Sequence, residues 1–287
     1  MNQYYLLYNP HAGKKNCKEE VDVLAASYTQ AISLDITKIE SYKEFFEKID
    51  PADSVIICGG DGTLNRFVNE TKDLEIQNPL YYYAIGSGND FVRDVTGSAT
   101  TKEPILLTDY IKDLPTVEVK GKEYLFLNGV GYGLDGYCCE MGDKQKLVSD
   151  KAVNYTAIAI KAVLFQYKPT NATITVDGVT KTYKRVWIAP AMNGRYYGGG
   201  MMTTPEQDRL GEEKNLSLMV FHNGGKLRIL TIFPTIFEGK HVKHKKQVEI
   251  LTGHDIHVQF DSPRALQIDG ETMVDVTEYH AKSRKIK

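Results

Sequence analysis

Over its first third the chain alternates short unbroken apolar runs with runs at helical spacing. Tyr4-Tyr5-Leu6-Leu7, Val55-Ile56-Ile57-Cys58 and Leu80 to Ile85 are continuous apolar stretches, as expected of strands buried on both faces. Val21, Leu24, Ala25 and Tyr28 recur every three or four residues. Leu64 to Glu70 and a segment from about Phe91 also read as helices. Strands alternating with helices predict a mainly parallel sheet covered by helices.

The pattern changes near Pro115. Thr116 to Val119 and Tyr124 to Leu127 read as short strands joined at Lys120-Gly121, and Lys151 to Gln166 as one helix. Ala172 to Val176 and Thr182 to Ile188 flank Asp177-Gly178, a hairpin signature. Leu216 to Phe221, Gln247 to Leu251, Ile256 to Phe260, Ala265 to Ile268 and Met273 to Val276 add further strands. The expected architecture is α/β plus β. A Rossmann-like three-layer α/β domain spans residues 1–115, an antiparallel β-sandwich domain spans 116–287, and the active-site cleft lies between them. No long repeat, low-complexity tract or flexible linker interrupts this reading.

The 287 residues suit one large domain or two modest ones, and 42% hydrophobic with 25% charged residues is ordinary globular composition. A formal net charge of -2 gives no global attraction to nucleic acid. Cys17, Cys58, Cys138 and Cys139 form no C-x-x-C pair, so neither a disulfide framework nor a cysteine metal clamp is expected, and a reducing compartment fits. Met1 to Tyr8 lacks signal-peptide features, and the apolar stretch Ala152 to Phe165 is too short to span a bilayer and contains Lys161. A cytoplasmic protein is expected, with contact at the inner membrane surface and homo-oligomerisation left open.

Three loops carry the candidate chemistry. Gly59-Gly60-Asp61-Gly62-Thr63 lies between a strand and a helix, where glycines allow close backbone approach and the helix start favours phosphate. Asp61 would repel phosphate unless a cation mediates, which points to Mg²⁺; the alternative is a tight turn with Asp61 in a local hydrogen bond. Gly86-Ser87-Gly88-Asn89-Asp90 repeats the arrangement ahead of Phe91-Val92-Arg93. Asn9-Pro10-His11-Ala12-Gly13-Lys14 follows the first strand and offers Lys14 as a point charge. None is a Walker A motif. Gly131-Tyr132-Gly133-Leu134-Asp135-Gly136 spells a dinucleotide fingerprint, yet no good helix pattern is seen after Gly136. It reads better as a strand end packed against something bulky.

Asn9-Pro10-x-Ala12-Gly13-Lys14, Gly59 to Asn65 and Gly86 to Arg93 together resemble three motifs of the bacterial diacylglycerol kinase-like lipid kinases, whose catalytic domain is shared with diacylglycerol, sphingosine and ceramide kinases. Asn193 to Met201 and Ile268-Asp269-Gly270-Glu271 resemble two later motifs, in order, over nearly the whole chain. The resemblance implies ATP and Mg²⁺ as cofactors and a lipid at a membrane surface as partner. It places the nucleotide against Asn9, Pro10, Gly13, Lys14, Gly59, Gly60, Gly62, Thr63, Ser87 and Asn89, with Thr37 as a further contact. It makes Asp61 indispensable through Mg²⁺ and Glu271 the base, with Asp269 beside it. Glu118, Lys161, Asp90 and Arg93 fall toward the substrate. Two departures stand out. Where the family has Asp-Asp-Gly holding a structural Mg²⁺, this chain has Glu206 to Lys214, leaving Asp208 and Glu213 as metal candidates. Glu118 replaces a common aspartate.

Some of these features also have ordinary explanations. Val176-Asp177-Gly178-Val179 nearly repeats the Asp269-Gly270-Glu271 string without the glutamate, so Asp-Gly alone means only a turn. His241 to Lys246 reads as an anionic-lipid contact or, preferably, a solvated connector. The functional expectation is ATP- and Mg²⁺-dependent transfer to a lipid hydroxyl, diacylglycerol leading. A kinase of a soluble acceptor such as NAD and a non-catalytic nucleotide-binding regulator are the alternatives.

Overall fold

A computed structural model describes residues 2–12, 17–86, 88–148 and 153–284. The chain divides into two units between Asp113 and Leu114. The first contains β1 (Tyr4–Tyr8), α1 (Cys17–Ala25), β2 (Ala31–Asp35), α2 (Tyr42–Lys48), β3 (Ser54–Gly59), α3 (Asp61–Glu70), β4 (Leu80–Ala84), α4 (Asp90–Thr96), β5 (Ile105–Leu106) and α5 (Thr108–Ile111). The strand order is β2-β1-β3-β4-β5, parallel through β4, with β5 antiparallel at the edge.

Every residue of β3 is buried, as its unbroken apolar run requires. Alternation along β1 and β3 turns Leu6, Ile56 and Cys58 toward Val21 and Leu24 of α1, which recur on one helix face. Each such fully buried aliphatic side chain contributes roughly 1.5–3 kcal/mol. Phe67 of α3 meets Tyr42 of α2 edge-on. Strand β2 and helix α2 were not anticipated from the sequence. Ile32 in β2 is exposed and its neighbours are only half-buried, so this edge strand has no continuous apolar signature.

The second unit contains β6 (Thr116–Val119), β7 (Lys122–Leu125), β8 (Gly129–Tyr132), α6 (Leu134–Val148), α7 (Tyr155–Lys161), β9 (Thr170–Val176), β10 (Val179–Val186), β11 (Ala191–Met192), β12 (Tyr196–Tyr197), β13 (Met201–Met202), β14 (Leu216–Phe221), α8 (Lys226–Ile232), β15 (Val248–Gly253), β16 (Asp255–Ile268) and β17 (Glu271–Lys282). Ten strands form one antiparallel sheet ordered β15-β14-β11-β8-β16-β17-β6-β7, with β9 also on β16 and β10 on β9. Strand β16 pairs with β9 through Ile256–Phe260 and with β8 through Leu266–Ile268, and its pairing with β17 shifts register between Gln259 and Leu266. Such bulged strands let one sheet turn a corner and close over its own core, as in a sandwich. Tyr132, Leu218, Val258, Leu266 and Tyr279 lie in that core.

Three expectations change. The two strands expected at 256–260 and 265–268 are one bent strand, interrupted in sequence by Pro263. A helix, α6, does begin within the Gly131–Gly136 string. Its buried residues are Leu134, Asp135, Gly136, Cys138 and Gly142, of which Leu134 alone is a large apolar side chain, so no apolar period shows. The single helix expected at 151–166 is a shorter α7 followed by a π-helical turn, Ala162–Gln166. Among the described residues no helix is long and apolar enough to cross a membrane.

Candidate active site

In the first unit the chain leaves β1 toward β2 and then returns past β1 to β3, so the connections after β1 and β3 run to opposite sides. That reversal opens a crevice at the carboxyl ends of these strands, the usual ligand position in open α/β sheets. The Asn9 loop follows β1 and the Gly59–Thr63 loop follows β3. The Asn9 backbone N–H donates to the Cys58 carbonyl at 3.1 Å, and its Nδ2 donates to Thr63 Oγ1 at 3.0 Å. The buried Tyr82 hydroxyl donates to the Gly59 carbonyl at 3.0 Å and fixes the end of β3.

The glycines here are required by crowding. A Cβ on Gly86 would lie 3.0 Å from Gly60 Cα and 2.6 Å from Asn89 Oδ1, and one on Gly59 would lie 2.6 Å from Thr63. Two glycine backbones thus press together beside the α3 start, whose cap residue Gly60 makes no side-chain cap hydrogen bond. Asp61 accepts the Asp90 N–H at 2.8 Å and the Phe91 N–H at 3.1 Å, joining the start of α3 to that of α4. These bonds reach 29 and 30 residues along the chain rather than closing a local turn, and they orient the carboxylate. Asn89 sits at φ 51°, buried, with Nδ2 donating to the carbonyls of Gly86 and Ala99. Thr37, on an exposed turn after β2, donates to Asp35 Oδ1 at 2.7 Å. Pro10 and Gly62 are half-buried, as is Arg93, while Asp90 is buried. Gly13, Lys14 and Ser87 lie outside the described residues.

In the second unit Asp269 is buried, and its carboxylate accepts three backbone N–H groups: Leu127 at 2.5 Å, Asn128 at 2.8 Å and Gly129 at 3.0 Å. Its φ of 47° and that of Gly270, 99°, make the tight turn into β17, which opens with an exposed Glu271. The comparison hairpin uses the same device less heavily. Asp177, exposed at φ 46°, accepts the N–H groups of His254 and Asp255, both at 2.9 Å.

Glu118 is exposed on β6 and paired in register with His280, and Lys161 ends α7 exposed. The 206–214 loop is held by neutral and cationic donors. Gln207 Nε2 donates to the carbonyls of Asn193 and Asn215, and Arg209 reaches the Leu127 carbonyl and Asn128 Oδ1. Asp208 and Glu213 are exposed, and among the described residues no three His, Cys, Asp or Glu side chains gather as a metal site.

Asp135 was overlooked in the sequence. It is buried at the start of α6, where burial pushes its carboxyl up to about 6, opposed by the hydrogen bond that the Tyr197 hydroxyl donates to Oδ2 at 3.1 Å. Its only sequence signal is Gly131. A Cβ there would lie 1.8 Å from Asp135 Oδ2.

Residues 3–117 match the model of the diacylglycerol kinase catalytic domain, and residues 128–282 match that of the YegS C-terminal NAD kinase beta sandwich-like domain. The chain is 22% identical over 307 residues to YtlR of Bacillus subtilis, a candidate lipid kinase, covering 95% of this chain and 94% of that one. It is 26% identical over 215 residues to a diacylglycerol kinase of Mycobacterium tuberculosis, covering 72% and 67%. A candidate diacylglycerol kinase structure from Bacillus anthracis shares the fold, with a TM-score of 0.69 and 20% identity over 99% of this chain and 93% of that one. With both halves matched in order, the chain belongs to the bacterial diacylglycerol kinase-like lipid kinase family.

Proposed function

We propose that the protein transfers the γ-phosphoryl group of ATP to a lipid hydroxyl, with diacylglycerol the first acceptor to test. The observation that carries this reading is the convergence of the β1, β3 and β4 loops, glycine against glycine, beside the start of α3. A backbone without Cβ atoms, next to a helix start with no side-chain cap, suits a triphosphate.

Phosphoryl transfer depends on alignment and charge neutralisation rather than on covalent help from the protein. In this reading Asn9, Gly59, Gly60, Thr63 and Asn89 shape the phosphate cradle. Asp61, fixed by two N–H groups, would hold the metal that arrives with the nucleotide, and Mg²⁺ there would supply charge neutralisation on the phosphate oxygens. The acceptor oxygen attacks the γ-phosphorus as its bond to the ADP oxygen breaks, and Glu271 takes the hydroxyl proton. Asp269 acts by holding the turn that presents Glu271.

The test is transfer of label from γ-labelled ATP with Mg²⁺ to diacylglycerol, sphingosine or ceramide in detergent micelles, and to NAD in water. Label in the organic extract is expected, and Glu271→Gln should lower it roughly 10²–10⁴-fold. Label on NAD alone would replace the reading with a soluble-acceptor kinase. ATP-induced thermal stabilisation with no labelled product would leave a nucleotide-binding regulator.

A further inference from the structure

We propose that the second unit docks on an anionic bilayer through the face formed by the π-helical turn Ala162–Gln166 and α8; the choice of occupant rests on the lipid-kinase reading. Residues Lys226–Glu238 are helical throughout, as α8 and then as a 3₁₀ segment from Phe233. The inner side is apolar, with Ile229, Ile232 and Ile236 fully buried. A surface helix ordinarily sets a polar face opposite such a stripe. Here Leu227, Leu230, Pro234 and Phe237 recur at helical spacing on the opposite side, Leu230 half-buried and the others exposed. The Lys226 ammonium donates to the Leu164 carbonyl at 2.6 Å, which brings Phe165 beside the first turn of α8. Phe165 is 78% exposed and Leu227 79%. Large apolar side chains exposed on neighbouring turns mark a surface that has a partner.

The charge around them selects that partner. Between Asn223 and Lys246 the cations Lys226, Arg228, Lys240, Lys243, Lys245 and Lys246 stand against one carboxylate, Glu238, in a chain of formal net charge -2. All six cations are exposed. Arg228 Nη2 lies 3.5 Å from His244 Nδ1, and its Nε lies 3.5 Å from Gln247 Oε1. The lysine-rich turn therefore packs beside α8, next to the apolar stripe. Anionic phospholipids attract such a cluster. Lysine is depleted where protein meets protein, whereas at a bilayer its stem lies along the apolar boundary while its ammonium reaches the headgroups. Leucine and phenylalanine flanked by lysines thus fit the boundary between headgroups and acyl chains in an anionic leaflet. Charge brings the protein to the surface that holds its acceptor, and the apolar side chains retain it there.

The experiment is cosedimentation of the full chain with phosphatidylcholine vesicles, with and without phosphatidylglycerol. The wild type should bind the anionic vesicles alone, and more weakly at about 1 M salt, where the screening length falls to about 3 Å. Phe165→Ser and Leu227→Ser should each weaken partitioning about 10-fold, the scale for one apolar side chain left in water. Lys243→Gln and Lys246→Gln should each cost about 5-fold. Val179→Ser, at a position 75% exposed on the β9–β10 hairpin, should bind as the wild type does. The fluorescence of buried Trp187 reports that each variant is folded. In Phe165→Trp, lipids brominated in their acyl chains should quench the added indole and spare Trp187. Transfer of label to a short-chain, water-soluble diacylglycerol should be unchanged in the serine variants, and transfer to long-chain diacylglycerol in vesicles should fall with binding.

A wild type that ignores anionic vesicles, serine variants that bind fully, or a bound Phe165→Trp that is not quenched would each overturn the docking face and leave the kinase reading standing. A wild type that is dimeric without vesicles and monomeric as Leu227→Ser gives the face to a second copy of the chain and also overturns the proposal. Vesicle binding lost in the serine variants, with no label on any acceptor, supports the docking face and overturns the kinase reading alone.

Discussion

The two Asp-Gly turns of the second unit offer a controlled comparison. Asp177→Ala and Asp269→Ala both place alanine at a φ near 47°, so the left-handed strain of about 1–2 kcal/mol is common to both and cancels. What differs is the hydrogen bonding lost. At Asp177 two exposed N–H groups lose a carboxylate but gain water, worth about 1 kcal/mol. At Asp269 three buried N–H groups lose theirs with no water to replace it. Charge-assisted bonds net about 1.5–3 kcal/mol each and are not additive, so about 4 kcal/mol is expected. Trp187, the single tryptophan, is fully buried in this unit and reports its unfolding by fluorescence. With a urea slope of about 3 kcal/mol/M, the Asp269→Ala midpoint should lie about 1 M below that of Asp177→Ala. Coincident midpoints would refute the reasoning and return Asp269 to an ordinary turn residue.

Other outcomes follow from the first unit and from the core. Asp61→Ala should lose two N–H acceptors at the α4 start and cost about 1–2 kcal/mol, a melting shift of about 4–8 °C by calorimetry, in addition to abolishing phosphoryl transfer. Gly86→Ala drives a Cβ to 3.0 Å from Gly60 Cα and should weaken ATP binding in a titration while costing about 1–3 kcal/mol. His241 is fully buried against the Thr203 carbonyl, and burial holds its pKa below the ordinary value. The unfolded chain then binds the proton more readily, so stability falls as pH drops below about 6.5. His241→Gln should lose that part of the pH dependence in urea melts at pH 5 and 7.

The membership of each loop in one site illustrates how far local pattern reaches. Val55–Cys58 announces itself as a strand because both faces are buried, Leu80–Ile85 because its apolar run covers one buried and one half-buried face, and the glycines of Gly59–Gly62 announce a strand-to-helix junction. Strand β2 carried no such signal, being half-buried at an edge, and yet it creates the reversal that opens the crevice. His241, read with its basic neighbours as a solvated connector, is wholly buried, because a single side chain can turn inward from a charged segment.

By itself the sequence determined the order of elements, the division into an α/β and a β part, and the residue types at the phosphate-like loops. These depend on near-neighbour periodicity and on the conformational freedom of single residues, both written locally. Only the tertiary structure decided that Asp61 grips the α4 start, that Asp269 spans three amides while Asp177 spans two exposed ones, and that buried Asp135 receives the Tyr197 hydroxyl. Those pairings join residues far apart in the chain. Their energy comes from burial that exists only once the sheets have closed, so no local pattern can announce them.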